Sequence, residues 1–100
     1  MAKKIATDNR KIVRTYSAGV FFGTVEKRNG QEVTMTNARR LWYWRGAASL
    51  SELAQRGTSN PGGCQFPVAV DRVVLTQAIE IIDTTPESRA SIDGVAIWTR

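Results

Sequence analysis

Asn37-Ala38-Arg39-Arg40-Leu41-Trp42-Tyr43-Trp44-Arg45-Gly46 holds two of the chain's three tryptophans, one of its two tyrosines and three of its fourteen basic residues. Aromatic residues favour a pleated strand, in which successive side chains point to opposite faces. Alternation sets Arg40, Trp42 and Trp44 on one side and Arg39, Leu41, Tyr43 and Arg45 on the other. Neither side is simply apolar or simply polar. Three readings of the stretch are open: the centre of a small core, an oligomer or protein interface, and a ligand surface.

Upstream, Lys11–Tyr16 has a strand pattern, Ser17-Ala18-Gly19 a tight turn, and Val20–Lys27 a second strand. Arg28-Asn29-Gly30 marks a hairpin into Glu32–Thr36. A three-residue loop over Arg28–Gly30 pairs Val25 with Val33 and Gly23 with Met35. It gathers Phe21, Val25, Val33 and Met35 on one face, at the cost of Glu26 opposite Glu32. A two-residue Asn29-Gly30 loop mixes polar and apolar side chains on both faces. Because a one-residue slip inverts every side chain, the coherent face selects the longer loop.

Downstream, Gly46 ends the aromatic strand, and Ser49-Leu50-Ser51-Glu52 is a capping box opening a helix over 50–56, stopped by Gly57. Thr58–Gly63 reads as an exposed loop. Val68–Val70 and Val73–Ile82 read as strands, with Val73, Leu75, Gln77, Ile79 and Ile81 facing the core. Thr85-Pro86-Glu87 opens a second helix over 86–92, closed by Asp93-Gly94, and Val95–Thr99 reads as a last strand. These elements predict a mainly β (β-rich α+β) fold. Six or seven short strands form a curled or barrel-like antiparallel sheet with two short helices.

One hundred residues make one domain, here 11–100, preceded by a basic arm at 1–10 read as flexible. The sequence pI is near 10.0, yet residues 1–14 carry Lys3, Lys4, Arg10, Lys11 and Arg14 against Asp8 alone. The remaining residues hold nine basic against eight acidic side chains, a net +1 of the chain's +5. The basic pI therefore belongs mostly to residues 1–14, the arm and the start of the first strand, and the arm suits phosphate contacts more than the body does. Cys64 is the sole cysteine and reads as a small buried hydrophobe; with no intrachain disulfide, a reducing, cytosolic setting is expected. No apolar run approaches the ~20 residues that span a bilayer, so no membrane partner is expected.

With no histidine, no imidazole base, His-containing triad or His-ligated metal site exists. The nine carboxylates are scattered, and no Walker A loop or dinucleotide fingerprint occurs. The chain reads as a non-enzyme without metal or cofactor. The arginine–aromatic stretch carries the remaining chemistry, since guanidinium forks bind phosphate and aromatic rings stack on bases. The candidate ligand residues are Arg39, Arg40, Trp42, Trp44 and Arg45, joined by Tyr16 and Asn37 if the neighbouring strands pair suitably.

The run Ile12–Val20, then Asn37–Trp44 with Gly46–Leu50, is similar to a family of small uncharacterised proteins of tailed bacteriophages. Phe66-Pro67, Val74–Thr76 and Ile79-Glu80 extend the resemblance over about residues 12–83. It implies a phage origin and a site of action in the cytoplasm of the bacterial host, and says nothing of mechanism. In that context the expected function is a binding protein that sequesters a nucleotide or nucleotide-derived defence signal. The alternatives are a virion component, a host-protein binder or homo-oligomer using the aromatic strand, and a nucleic-acid binder using the arm.

Overall fold

In a computed structural model, residues 10–99 are described. Five strands form one antiparallel sheet: β1 (Arg10–Thr15), β2 (Val20–Asn29), β3 (Glu32–Arg40), β4 (Val70–Leu75) and β5 (Ala78–Asp83), in the order β4-β3-β2-β1-β5. Two helices, α1 (Leu50–Arg56) and α2 (Pro86–Asp93), and a 3-10 turn at Pro61–Gly63 complete the elements. The chain is β-rich, as its sequence predicts. The sheet is not closed: its two edges, β4 and β5, do not pair, although only Thr76 and Gln77 separate them in sequence.

The expected single strand over 73–82 is thus two. The bend at Thr76-Gln77 interrupts the alternation, so Leu75 and Ala78 are both buried while Gln77 and Ile79 are exposed. Of the expected aromatic strand, only Arg39 and Arg40 lie in the sheet, as the end of β3. The rest of it and the expected strand at 95–99 contribute only single bridges outside the sheet, Tyr43 with Gln65 and Phe66 with Ile97. Arg10, assigned above to the arm, begins β1 and pairs opposite Thr24. The rest of the arm lies outside the described residues.

Why are Ile12 and Val13, and again Phe21 and Phe22, all buried although neighbours point to opposite faces? The sheet carries a core on each side. On its inner side Val13, Phe21, Val33, Met35, Ala38, Leu75 and Ala78 pack together. On the other, Ile12 and Phe22 meet Leu41, Leu53, Ala54, Phe66, Ile92 and Val95, which come from the helices and irregular segments. Each of these large side chains contributes about 1.5–3 kcal/mol when fully buried.

The inner face expected from the sequence is present, reached through a different register. Asn29 pairs with Glu32, so the turn is Gly30-Gln31, with Gly30 at φ +64° in the first turn position, as tight two-residue hairpins prefer. That turn alone would invert the sheet. A bulge at Glu26 absorbs one residue and restores Val25 opposite Met35. Glu26 thereby avoids Glu32 and accepts a hydrogen bond from Thr36 Oγ1 at 3.0 Å.

A second bulge follows at Asn37, whose φ of +49° suits asparagine better than a branched residue. It draws β3 so close to β2 that a side chain at Gly23 would meet the Ala38 Cα at 2.8 Å and the Asn37 carbonyl at 2.9 Å.

The helices form where their caps predict. Ser49 Oγ accepts from the Glu52 N–H at 3.1 Å, and Glu52 returns to accept from the Ala48 N–H at 2.7 Å. Thr85 Oγ1 caps α2 through the Ser88 N–H at 3.0 Å. Neither helix is long enough to persist alone. They are tied together by Ser88 Oγ donating to Leu53 O at 2.7 Å and Thr85 Oγ1 donating to Gln55 O at 2.6 Å.

Candidate functional site

The Asn37 bulge decides where each side chain of the arginine–aromatic stretch goes. Simple alternation through β3 would put Arg39 on the face of Val33 and Met35. With the extra residue absorbed, Arg39 lies opposite Phe22 and Arg40 opposite Phe21. Those two phenylalanines belong to different cores. The adjacent arginines therefore part company.

Arg39 enters the helix-side core region and is consumed there. Its Nη2 donates to the carbonyls of Phe66, Val95 and Ala96 at 3.0, 2.7 and 3.1 Å; Nη1 donates to Ile92 O at 2.9 Å and Nε to Pro67 O at 3.2 Å. The guanidinium carbon sits 5.5 Å from the centre of the Phe66 ring. Burial pulls its pKa down, and nearby Asp93 opposes that shift. A cation at the C-terminal end of α2 also complements the helix dipole. Arg39 is a clasp holding three segments of chain.

Arg40 is exposed and lies with its guanidinium carbon 4.6 Å from the Phe21 ring centre. Its side chain makes no hydrogen bond or ion pair among the described residues. Beyond it, the Leu41 N–H donates to Val20 O at 2.8 Å, and the chain then leaves the sheet. Arg40, Leu41, Trp42 and Trp44 line a cleft of about 380 Å³, whose opposite wall is Ser17, Ala18, Gly19 and Val20. Trp42 is 62 % exposed and stacks on Trp98, ring centres 6.5 Å apart at 19°. Trp44 is half-buried against the helix-side core.

Of the candidate residues, the cleft brings together Arg40, Trp42 and Trp44. Arg45 does not line it: its Nε donates to Tyr43 Oη at 3.0 Å, and its backbone carbonyl accepts from Thr58 Oγ1. Asn37 is the bulge residue. Tyr16, 76 % exposed, precedes the turn without lining the cleft. Missed in the sequence were Ser17–Val20 as a wall and Trp98 as the support behind Trp42. The turn at 17–19 was visible, but its approach to Trp42 depends on the β2–β3 pairing. Nothing local to Trp98 announces its partner 56 positions away.

A larger cleft of about 580 Å³ opens between the β2–β3 turn and β5, lined by Arg28, Gln31, Val33, Ile79, Glu80 and Ile81 among others. It has no aromatic ring. Arg28 Nε donates to Gly30 O at 3.1 Å, and Glu80 accepts from Arg14 Nε at 2.8 Å. Its charged groups thus already have partners, which makes the smaller cleft the better candidate. Cys64 is buried in the helix-side core, its Sγ facing the carbonyls of Asn60 and Arg45 at 3.5 and 3.6 Å. Among the described residues no group of three His, Cys, Asp or Glu side chains is placed to hold a metal ion, and no helix is long and apolar enough to cross a membrane.

Residues 8–92 match the family described as Domain of unknown function (DUF6948), and the chain belongs to that family. No curated protein and no solved structure matches the chain.

Proposed function

We propose that this DUF6948 protein is a non-enzymatic binding protein of a tailed bacteriophage. It acts in the cytoplasm of the infected host by sequestering a nucleotide or nucleotide-derived signal in the Arg40–Trp42–Trp44 cleft. The observation that carries the reading is the meeting of an exposed, otherwise uncommitted guanidinium and two indoles in one concavity. Its volume of about 380 Å³ falls in the ~300–1,000 Å³ range of small-molecule sites. A phosphate meets the arginine through paired, charge-assisted hydrogen bonds, and a base stacks on indole. The curl that presents this wall is read as a partly closed barrel, with the Thr76-Gln77 corner carrying the chain from one edge to the other.

Thermal-shift titration against mono-, di- and cyclic nucleotides tests the reading. Occupancy at 100-fold the Kd stabilises the fold by about 2.7 kcal/mol. That stabilisation should vanish in Arg40→Ala and Trp42→Ala. No shift with any nucleotide at millimolar concentration overturns the proposal.

A second reading rests on the apolar surface beside this wall. Val68 is 62 % exposed and Ile97 57 %, with Tyr43 also exposed, and such side chains suit an interface with a second copy or a host protein. Light scattering separates the two: an oligomer dissociated by Ile97→Asp, with nucleotide binding absent, favours the interface.

A further inference from the structure

Resting on the nucleotide reading of the cleft, we infer that it takes a nucleoside monophosphate unit, gripping one phosphate and one ring, and is indifferent to which base it holds. Arg40 is the only charged residue among the eight described residues that line the cleft. Its guanidinium carbon lies 4.6 Å from the Phe21 ring centre, and its N–H groups make no hydrogen bond among the described residues, which leaves the fork available for two oxygens of one phosphate.

The opposite wall supplies the remaining donors. The Thr15–Gly19 turn is fixed by its own hydrogen bonds. Thr15 Oγ1 accepts from the Ala18 N–H at 2.8 Å and donates to Gly19 O at 2.8 Å, while the Thr15 N–H donates to the same carbonyl at 3.0 Å. The Tyr16 N–H is held by Gln77 O at 2.9 Å. That leaves the Ser17 and Gly19 N–H groups and the Ser17 hydroxyl without a hydrogen bond among the described residues. The Ala18 N–H between them is taken by Thr15 Oγ1, so these are separate neutral donors, of a kind suited to an anion.

One cation and a few neutral donors match one phosphate. A polyphosphate brings further negative charge and a bound divalent cation, and among the described residues no lysine, second arginine or carboxylate lines the cleft to meet either. The base side is equally sparse. Strong discrimination between bases needs buried groups that hydrogen-bond the correct edge and are left unpaired by the wrong one. Among the described residues no Asn, Gln, Asp or Glu side chain lines this cleft, and stacking on Trp42 and Trp44 accepts any planar ring.

Isothermal titration of the full chain with AMP, GMP, CMP, UMP, adenosine, ATP with magnesium, and inorganic phosphate decides the matter. The four monophosphates should bind within about tenfold of one another, purines tighter because they stack over more area. Adenosine should bind at least tenfold more weakly than AMP, a loss that Arg40→Ala reproduces in full and Arg40→Lys in part, because lysine keeps the charge and loses the fork. ATP should gain less than threefold over AMP. ATP binding more than tenfold tighter than AMP, adenosine equal to AMP, or a preference above a hundredfold for one base overturns this inference while leaving nucleotide binding intact. Failure of every nucleotide to bind overturns the reading beneath it as well.

Discussion

Arg39 and Arg40 are the same side chain on consecutive residues, and the two sides of the β3 end treat them in opposite ways. On the helix side, five backbone carbonyls from three segments converge on one guanidinium, and Phe66 closes over it. On the other, a guanidinium rests on Phe21 above an open cleft. One arginine is spent on holding the chain together; the other is left with its hydrogen bonds unmade. The chemistry of a residue type is therefore a poor guide to its job, and the parity of the strand that carries it a better one.

The comparison breaks hardest at Phe66, which is fully buried under the clasp. Phe66→Ala should cost about 3–5 kcal/mol of folding stability in urea denaturation. Arg39→Ala should follow at about 2–4 kcal/mol, since it strips several carbonyls of their donor; Arg39→Lys should recover little, because an ammonium cannot span the same set. Retention of wild-type stability in Arg39→Ala would reduce the clasp to an ornament of the surface.

Asn37→Val sharpens the contrast, because a β-branched residue resists the positive φ that the bulge demands. A loss of about 1–3 kcal/mol is expected from thermal unfolding. Arg40→Ala should cost no more than about 1 kcal/mol, the value of an exposed cation–π contact, while removing the proposed nucleotide binding.

The smallest effect belongs to the β1–β5 seam that both sides share. Lys11 Nζ donates to Asp83 at 2.8 Å and holds that carboxyl below its ordinary value of 3.8. Its folded pKa lies below its unfolded one, so the stability it gives is present above the ordinary carboxylate range. That stability is lost as pH falls through the depressed value. Asp83→Asn should abolish this acid-side loss and leave stability near neutral pH almost unchanged, because the pair is exposed.

How much of this was legible beforehand follows from what each feature depends on. Both helices were readable to the residue or nearly so, because Ser49, Glu52, Gly57, Thr85 and Pro86 act within a turn of the helix they bound. The inner face of β2 and β3 was readable as a set of residues, since Phe21, Val25, Val33 and Met35 have to be buried somewhere. The bulges at Glu26 and Asn37 were not, because alternation counts residues and a bulge spends one without changing composition. The alternation of Arg40 and Trp42 against Arg39 and Leu41 held. Which side would be closed depended on Pro67, Ile92 and Val95, between 28 and 56 positions away. The aromatic stretch looked like a strand by its residue types, but past Leu41 no neighbouring strand is available to pair with it.

The order of strands in the sheet also sets a timetable. Neighbours β1 to β3 are joined by short turns, whereas the seam between β1 and β5 brings together Lys11 and Asp83 across 72 positions. Closing a flexible loop of that length costs about 4 kcal/mol of chain entropy, which the seam can recover only once most of the sheet is built. The β2–β3 hairpin therefore forms early and the β1–β5 seam late. Substitutions in β5 should accelerate unfolding and leave the folding rate nearly untouched.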